Sequence, residues 1–398
     1  MTVGAYTDLD QPPKHQDFAG YRVLAAAGEL SPFSRTSVTW PANTAIKPDI
    51  VLEGGNLLLD ASGTVIDQHD VVRLTTTHHE TGRLFTTANA TSAATAQAAR
   101  LAAIAHAAYP ALKPEAVRAL LVHEARWTAP MVEHILKPNW RRRSGKGNGT
   151  AVFARTVLRR YGWGVPTEER ILSSAANAVT LMIQDSLVPF VKNKKQGRVQ
   201  LGELKLHQLP WPREQLLDLG PTHVQLRVTL SYFVEPNPGR KGVLGQHTYA
   251  SHRLRFAIKG PLETLEAFEQ RIATNAEAED DGITTVGKFE GDDAWLVGSE
   301  NRNRGSLHAD IWSGTAVELA DCGALAVYPA GGWWKYNNRS DRVGRPVSYA
   351  LLVSLATPET ATDLYTPTAV KLDIPVLTDL AARVETTSGT PVQLPLAW

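Results

Sequence analysis

The chain has 398 residues, too many for one typical core, so two domains are expected. With 43% hydrophobic and 20% charged residues its composition is that of an ordinary globular protein. A formal net charge of +1 supplies no global field to draw nucleic acid or an anionic membrane, and neither partner is expected.

In chain order, Thr2 to Tyr6 reads as a strand, and the opening has no basic n-region or long apolar stretch. No window approaches the ~18 apolar residues of a spanning helix, so a cytoplasmic location is expected. Ile50 to Leu52 is a second strand, closed by the turn Gly54-Gly55-Asn56. Residues 92–107 are rich in alanine and predict a helix packed closely on all sides. A second helix opens at Pro114, with an apolar stripe of Val117, Leu120, Leu121 and Ala125. A third is predicted over 166–183. Pro189, the Lys192–Lys195 stretch and Pro210-Trp211-Pro212 read as a linker.

Beyond residue 220 the apolar period becomes two. Val224, Leu226, Val228, Leu230 and Tyr232 alternate with polar residues, the pattern of a half-buried strand. Leu254-Phe256-Ile258 and Leu307-Ala309-Ile311 repeat it, and a β-sandwich is expected, interrupted by one helix carrying Leu262, Leu265, Phe268 and Ile272. The single cysteine, Cys322, reads as a small structural residue. Trp333-Trp334 reads as packing at the edge of this domain. The basic cluster Arg141–Arg143 with Lys146, and the acidic Glu279-Asp280-Asp281 and Gly291-Asp292-Asp293, read as solvated loops. The acidic pairs lack the spacing of a calcium loop, and no cofactor or metal is implied.

The chemistry sits at Asn89-Ala90-Thr91-Ser92, where the Ala-rich helix begins. A serine in the first turn of a buried helix has outward backbone N–H groups and the positive end of the helix dipole beside it, which suit an oxyanion. Read from this pattern alone, Ser92 or Thr91 is a helix cap rather than a nucleophile.

Thr91-Ser92-Ala93-Ala94 and the following helix resemble the serine motif of the subtilase family: Gly-Thr-Ser, any residue, then Ala-Ala-Pro-His-Val-Ala-Gly. This chain has Ala90 for the Gly, Thr95 for an Ala, Ala96 for the Pro, Gln97 for the His and Arg100 for the last Gly. Upstream, Ser31-Pro32-Phe33-Ser34 and Lys47-Pro48-Asp49-Ile50-Val51 through Gly54-Gly55 resemble the pair of segments that precede that serine. Downstream, Tyr109–Glu115 with Val117–Leu121, and Tyr161-Gly162-Trp163-Gly164, resemble the family's next helix and its late Gly-x-Gly element. The resemblance covers about residues 1–183.

The resemblance implies a subtilisin-like serine endopeptidase acting on protein or peptide substrates, with Ser92 as nucleophile and Thr91 and Asn89 shaping its loop. It implies the second half of a three-layer α/β/α domain with a mainly parallel sheet over residues 1–185. A linker follows over 186–215, and the β-sandwich over 216–398. The family's Asp, His and oxyanion Asn precede its serine, and no such motif stands before Ser92. His78 and His79 lie near Ser92 in sequence, but in a Thr-rich stretch rather than at a helix start, and a loop role is expected. The chain therefore reads as a fragment opening on an internal strand with an unpaired edge. The alternatives are an inactive binding or regulatory module, or one chain of a two-chain protease. Relatives encoded beside an AAA-type ATPase suggest such an ATPase as partner.

Overall fold

The computed structural model describes residues 1–41, 44–66, 69–136, 149–172, 178–193, 197–237, 249–280, 294–336 and 341–357. For 134–136, 149–154, 178–179 and 280 it describes the backbone only. Arg141–Arg143, Lys146, Asp281 and Gly291-Asp292-Asp293 lie outside these residues. The described chain divides into two compact units, 1–111 with 120–172, and 112–119 with 178–357. Both mix helices with small, mostly antiparallel sheets.

In the first unit the strands are β1 (Val3–Thr7), β2 (Arg22–Val23), β3 (Glu29–Leu30), β4 (Ile50–Glu53), β5 (Leu58–Leu59), β6 (Val65–Ile66), β7 (Leu74–Thr77) and β8 (Phe85–Ala88). β1 is the middle strand of the order β3-β1-β4. It pairs parallel with β4, Tyr6 facing Glu53, and this is the one parallel pairing among the described strands. The bare edge expected for β1 is largely covered. Ser31 N–H donates to the Ala5 carbonyl at 3.1 Å, and Ala5 N–H donates to Ser34 Oγ at 2.9 Å. On the far side of β4, Val51 N–H donates to the Gly164 carbonyl at 3.0 Å.

Helix α1 (Ala90–Ala108) packs on β1 and β4. Its buried residues Ala94, Ala98, Leu101 and Ala105 recur at helical spacing and make one stripe. Ala96, Ala99, Ala103 and Ala107 are exposed, so the burial on every side that its composition predicts is not met within the described residues. Helix α2 (Pro114–His123) begins where expected. The helix predicted over 166–183 is instead a short helix, Glu168–Leu172, followed by strand β9 (Ala178–Leu187). Val179, Ile183 and Leu187 satisfy either period, and pairing of the whole of β9 with a neighbouring strand decided the outcome.

The second unit holds β9, β10 (Phe190–Lys192), β11 (Val199–Leu201), β12 (Lys205–Gln208), β13 (His223–Tyr232), β14 (Arg253–Ile258), β15 (Leu307–Thr315), β16 (Ala324–Ala330) and β17 (Val347–Ala356). Residues 186–215, read from the sequence as a linker, thus contain strands of this unit. Two antiparallel sheets, β15-β13-β17-β9 and β12-β16-β14, send Leu226, Val228, Phe256, Val327 and Leu351 into one apolar cluster. The helix Leu265–Asp280 covers the other face of the smaller sheet through Phe268, Ile272 and Ala276, while Leu262 lies outside it, exposed.

β13 is buried on both faces rather than half-buried: Arg227, Thr229 and Ser231 are inside. Arg118 covers Ser231, donating to its Oγ at 2.9 Å and to the carbonyls of Tyr232 and Ser306 at 2.6 and 2.7 Å. Trp333 and Trp334 are buried, their ring N–H groups donating to the Glu235 carbonyl and carboxylate. Cys322 is buried and free, and burial pushes its thiol up to about 12, far from thiolate chemistry at neutral pH.

Candidate active site

β1 and β4 end side by side, and the chain leaves β4 through Glu53-Gly54-Gly55. This turn is the seat of α1. Ala90 N–H donates to the Gly54 carbonyl at 2.7 Å, and Gln97 Nε2 donates to the Glu53 carbonyl at 2.7 Å. A side chain at Gly54 would stand 2.4 Å from Ala5 Cβ, and Gly55 has φ +83°, so both glycines are required. Asn56 locks the turn from below. Wholly buried, it donates from Nδ2 to the carbonyls of Leu9 (2.9 Å) and Ala25 (2.8 Å), and its Oδ1 accepts from the N–H groups of Ala25 and Leu57.

Ser92 is exposed in the first turn of α1, and its hydroxyl has no hydrogen-bond partner among the described residues. The backbone N–H groups of Thr91 and Ser92 precede the first intrahelical donor. Thr91 is half-buried, and its carbonyl accepts from Thr95 Oγ1 at 2.7 Å. Asn89 occupies the cap position in an extended conformation, but its side chain makes no capping bond. Ala90, between them, has φ +64°. That left-handed conformation suits glycine, and Ala90 stands where the subtilase motif has one.

His78 and His79 are not brought to Ser92. They lie at the tip of the β7–β8 hairpin, His78 half-buried and His79 exposed, stacked on each other at 4.9 Å, with Nδ1 of His78 accepting from Glu80 N–H. All four residues of β8 separate that tip from Asn89, about 13 Å at strand rise. No group of three or more His, Cys, Asp or Glu suited to a metal occurs among the described residues.

Sequence reasoning passed over a polar cluster at the ends of β1 and β4. Glu53 accepts Asp8 N–H at 2.5 Å on one carboxylate oxygen and Gly55 N–H at 2.7 Å on the other, and Tyr6 donates its hydroxyl to Asp8 at 2.9 Å. Burial, with the Asp8 charge beside it, raises the Glu53 carboxyl above its ordinary range, against the pull of those backbone bonds. Burial and the Asp8 and Glu53 charges raise the Tyr6 hydroxyl strongly.

Comparison with known proteins bears on most of this unit. Residues 1–164 match the family model Peptidase_S8, the subtilase family. They are subtilase-related. That family is one of serine proteases. The chain is also 27% identical over 286 residues to the uncharacterized protein y4bN of Sinorhizobium fredii (strain NBRC 101917 / NGR234), a match covering 67% of this chain. The chain spans 59% of that relative's length. Among the described residues no helix is long and apolar enough to cross a membrane.

Proposed function

We propose that the chain carries the nucleophile of a subtilisin-like serine endopeptidase, with Ser92 attacking the peptide carbonyl. The observation that carries this reading is a serine hydroxyl with no partner among the described residues, in the first turn of a helix fixed at two points to the end of β4, within a subtilase-related segment. In the reaction Ser92 Oγ bonds to the carbonyl carbon and its proton passes to a base. The N–H groups of the first turn hold the oxyanion. The amine then leaves with that proton, and water releases the acyl group. Thr91 and Asn89 hold the loop through backbone conformation.

The base and its orienting carboxylate are supplied by chain upstream of Met1 or by a second polypeptide. The exposed small residues Ala96, Ala99, Ala103 and Ala107 favour this, because they suit a helix that another layer covers closely. In this reading β1 and β4 are part of a larger, mainly parallel three-layer domain. The two sheets of the second unit form a β-sandwich that positions substrate or docks a partner such as an AAA-type ATPase. A second reading, an inert regulatory module, is favoured by the placement of His78 and His79 away from Ser92.

Labelling by a fluorophosphonate, which reacts with base-activated serines, separates the two. This chain, its Ser92→Ala variant and the upstream-extended protein are compared. Labelling of the extended protein that Ser92→Ala abolishes is the expected result. No labelling in any form overturns the peptidase reading.

A further inference from the structure

We infer that Glu53 is a positioning residue for the nucleophile: its carboxylate clamps the turn on which the Ser92 helix is seated. The inference rests on the reading of Ser92 as nucleophile. One carboxylate spans two chain segments, taking Asp8 N–H, just past the end of β1, on one oxygen and Gly55 N–H on the other. Thr7 adds a hydroxyl bond to it. The turn so held presents two carbonyls to α1. That of Gly54 takes Ala90 N–H, two residues before Ser92, and that of Glu53 takes Gln97 Nε2, five residues after it. Ser92 therefore lies between two seats, and the carboxylate fixes the geometry of both.

Burial works against ionised Glu53, as its raised carboxyl shows, so the charge is not kept for fold stability. A neutral carboxamide of the same shape cannot replace it. It offers one acceptor oxygen and turns an NH2 group towards the other backbone N–H.

The test is Glu53→Gln, with Gln97→Met as a second variant that removes only the second seat. In this chain, amide hydrogen exchange at Ala90 is expected to speed up at least tenfold in Glu53→Gln while the melting temperature holds within a few degrees. In whichever form labels through Ser92, the maximal rate of fluorophosphonate inactivation is expected to fall about tenfold. The half-saturating probe concentration stays unchanged, a split that general destabilisation would not give. Gln97→Met is expected to slow inactivation in the same way by a smaller factor. Unchanged exchange at Ala90 overturns the clamp. Faster exchange with an unchanged inactivation rate overturns the positioning role alone. A wild type that never labels overturns the reading of Ser92, and the role of Glu53 with it.

Discussion

At the scale of single residues, Ala90 carries the sharpest consequence. An L-residue other than glycine at φ +64° is strained by about 1–2 kcal/mol, partly offset in a glycine variant by the greater freedom of the unfolded chain. Ala90→Gly is therefore expected to stabilise the chain by about 1 kcal/mol, read from denaturant unfolding. A loss of stability would show that the Ala90 methyl group makes compensating contacts. Asn56 predicts the opposite sign. Its side chain satisfies backbone groups of Leu9, Ala25 and Leu57, and Asn56→Ala leaves these unpaired in a buried place. A cost of about 3 kcal/mol is expected, and one under about 1 kcal/mol would mean that water replaces the amide.

At the scale of elements, Glu53 links the turn after β4 to pH. Its carboxyl is raised in the folded chain, chiefly by burial, so the folded state holds the proton more tightly than the unfolded state. The contribution is full below the ordinary carboxylate value of 4.5 and is lost as pH rises through the higher folded value. Glu53→Gln should therefore remove a decline in stability over that window, seen by comparing unfolding curves of the two proteins across mildly acid to neutral pH. Parallel pH profiles would refute it. That cluster was not legible in the sequence, because Asp8 and Glu53 are 45 positions apart and meet only when β1 and β4 align in parallel. The Ala-rich run and Pro114, by contrast, announce α1 and α2 from local propensity and helix-start chemistry. β9 was misread as helix because its apolar residues fit both periods and its partner, β17, lies far along the chain. Burial of the polar face of β13 was invisible for a like reason, since Arg118 reaches it across more than a hundred residues.

At the scale of the whole molecule, the two units differ in how their strands are held. The first has sheets of two and three strands, several of them two residues long, and exposes Trp40, Leu84 and Phe85. The second has a four-stranded sheet whose members run nine or ten residues, with both faces of β13 and most of β17 buried. Local opening is easiest where few apolar contacts and short ladders hold the backbone. Limited proteolysis of this chain should accordingly cut within residues 1–172 faster than within 178–357, with the first nicks in the exposed stretch from His79 to Phe85. Mass spectrometry of the early fragments reads the sites directly. A covering layer supplied by upstream chain would bury the small residues of α1 and slow cleavage of the first unit in the extended protein, leaving the second unchanged. Equal resistance of the two units in this chain would show that the short sheets around α1 are self-sufficient. The proposal that they are one part of a larger catalytic domain would then lose its structural motive, even if Ser92 were found to react.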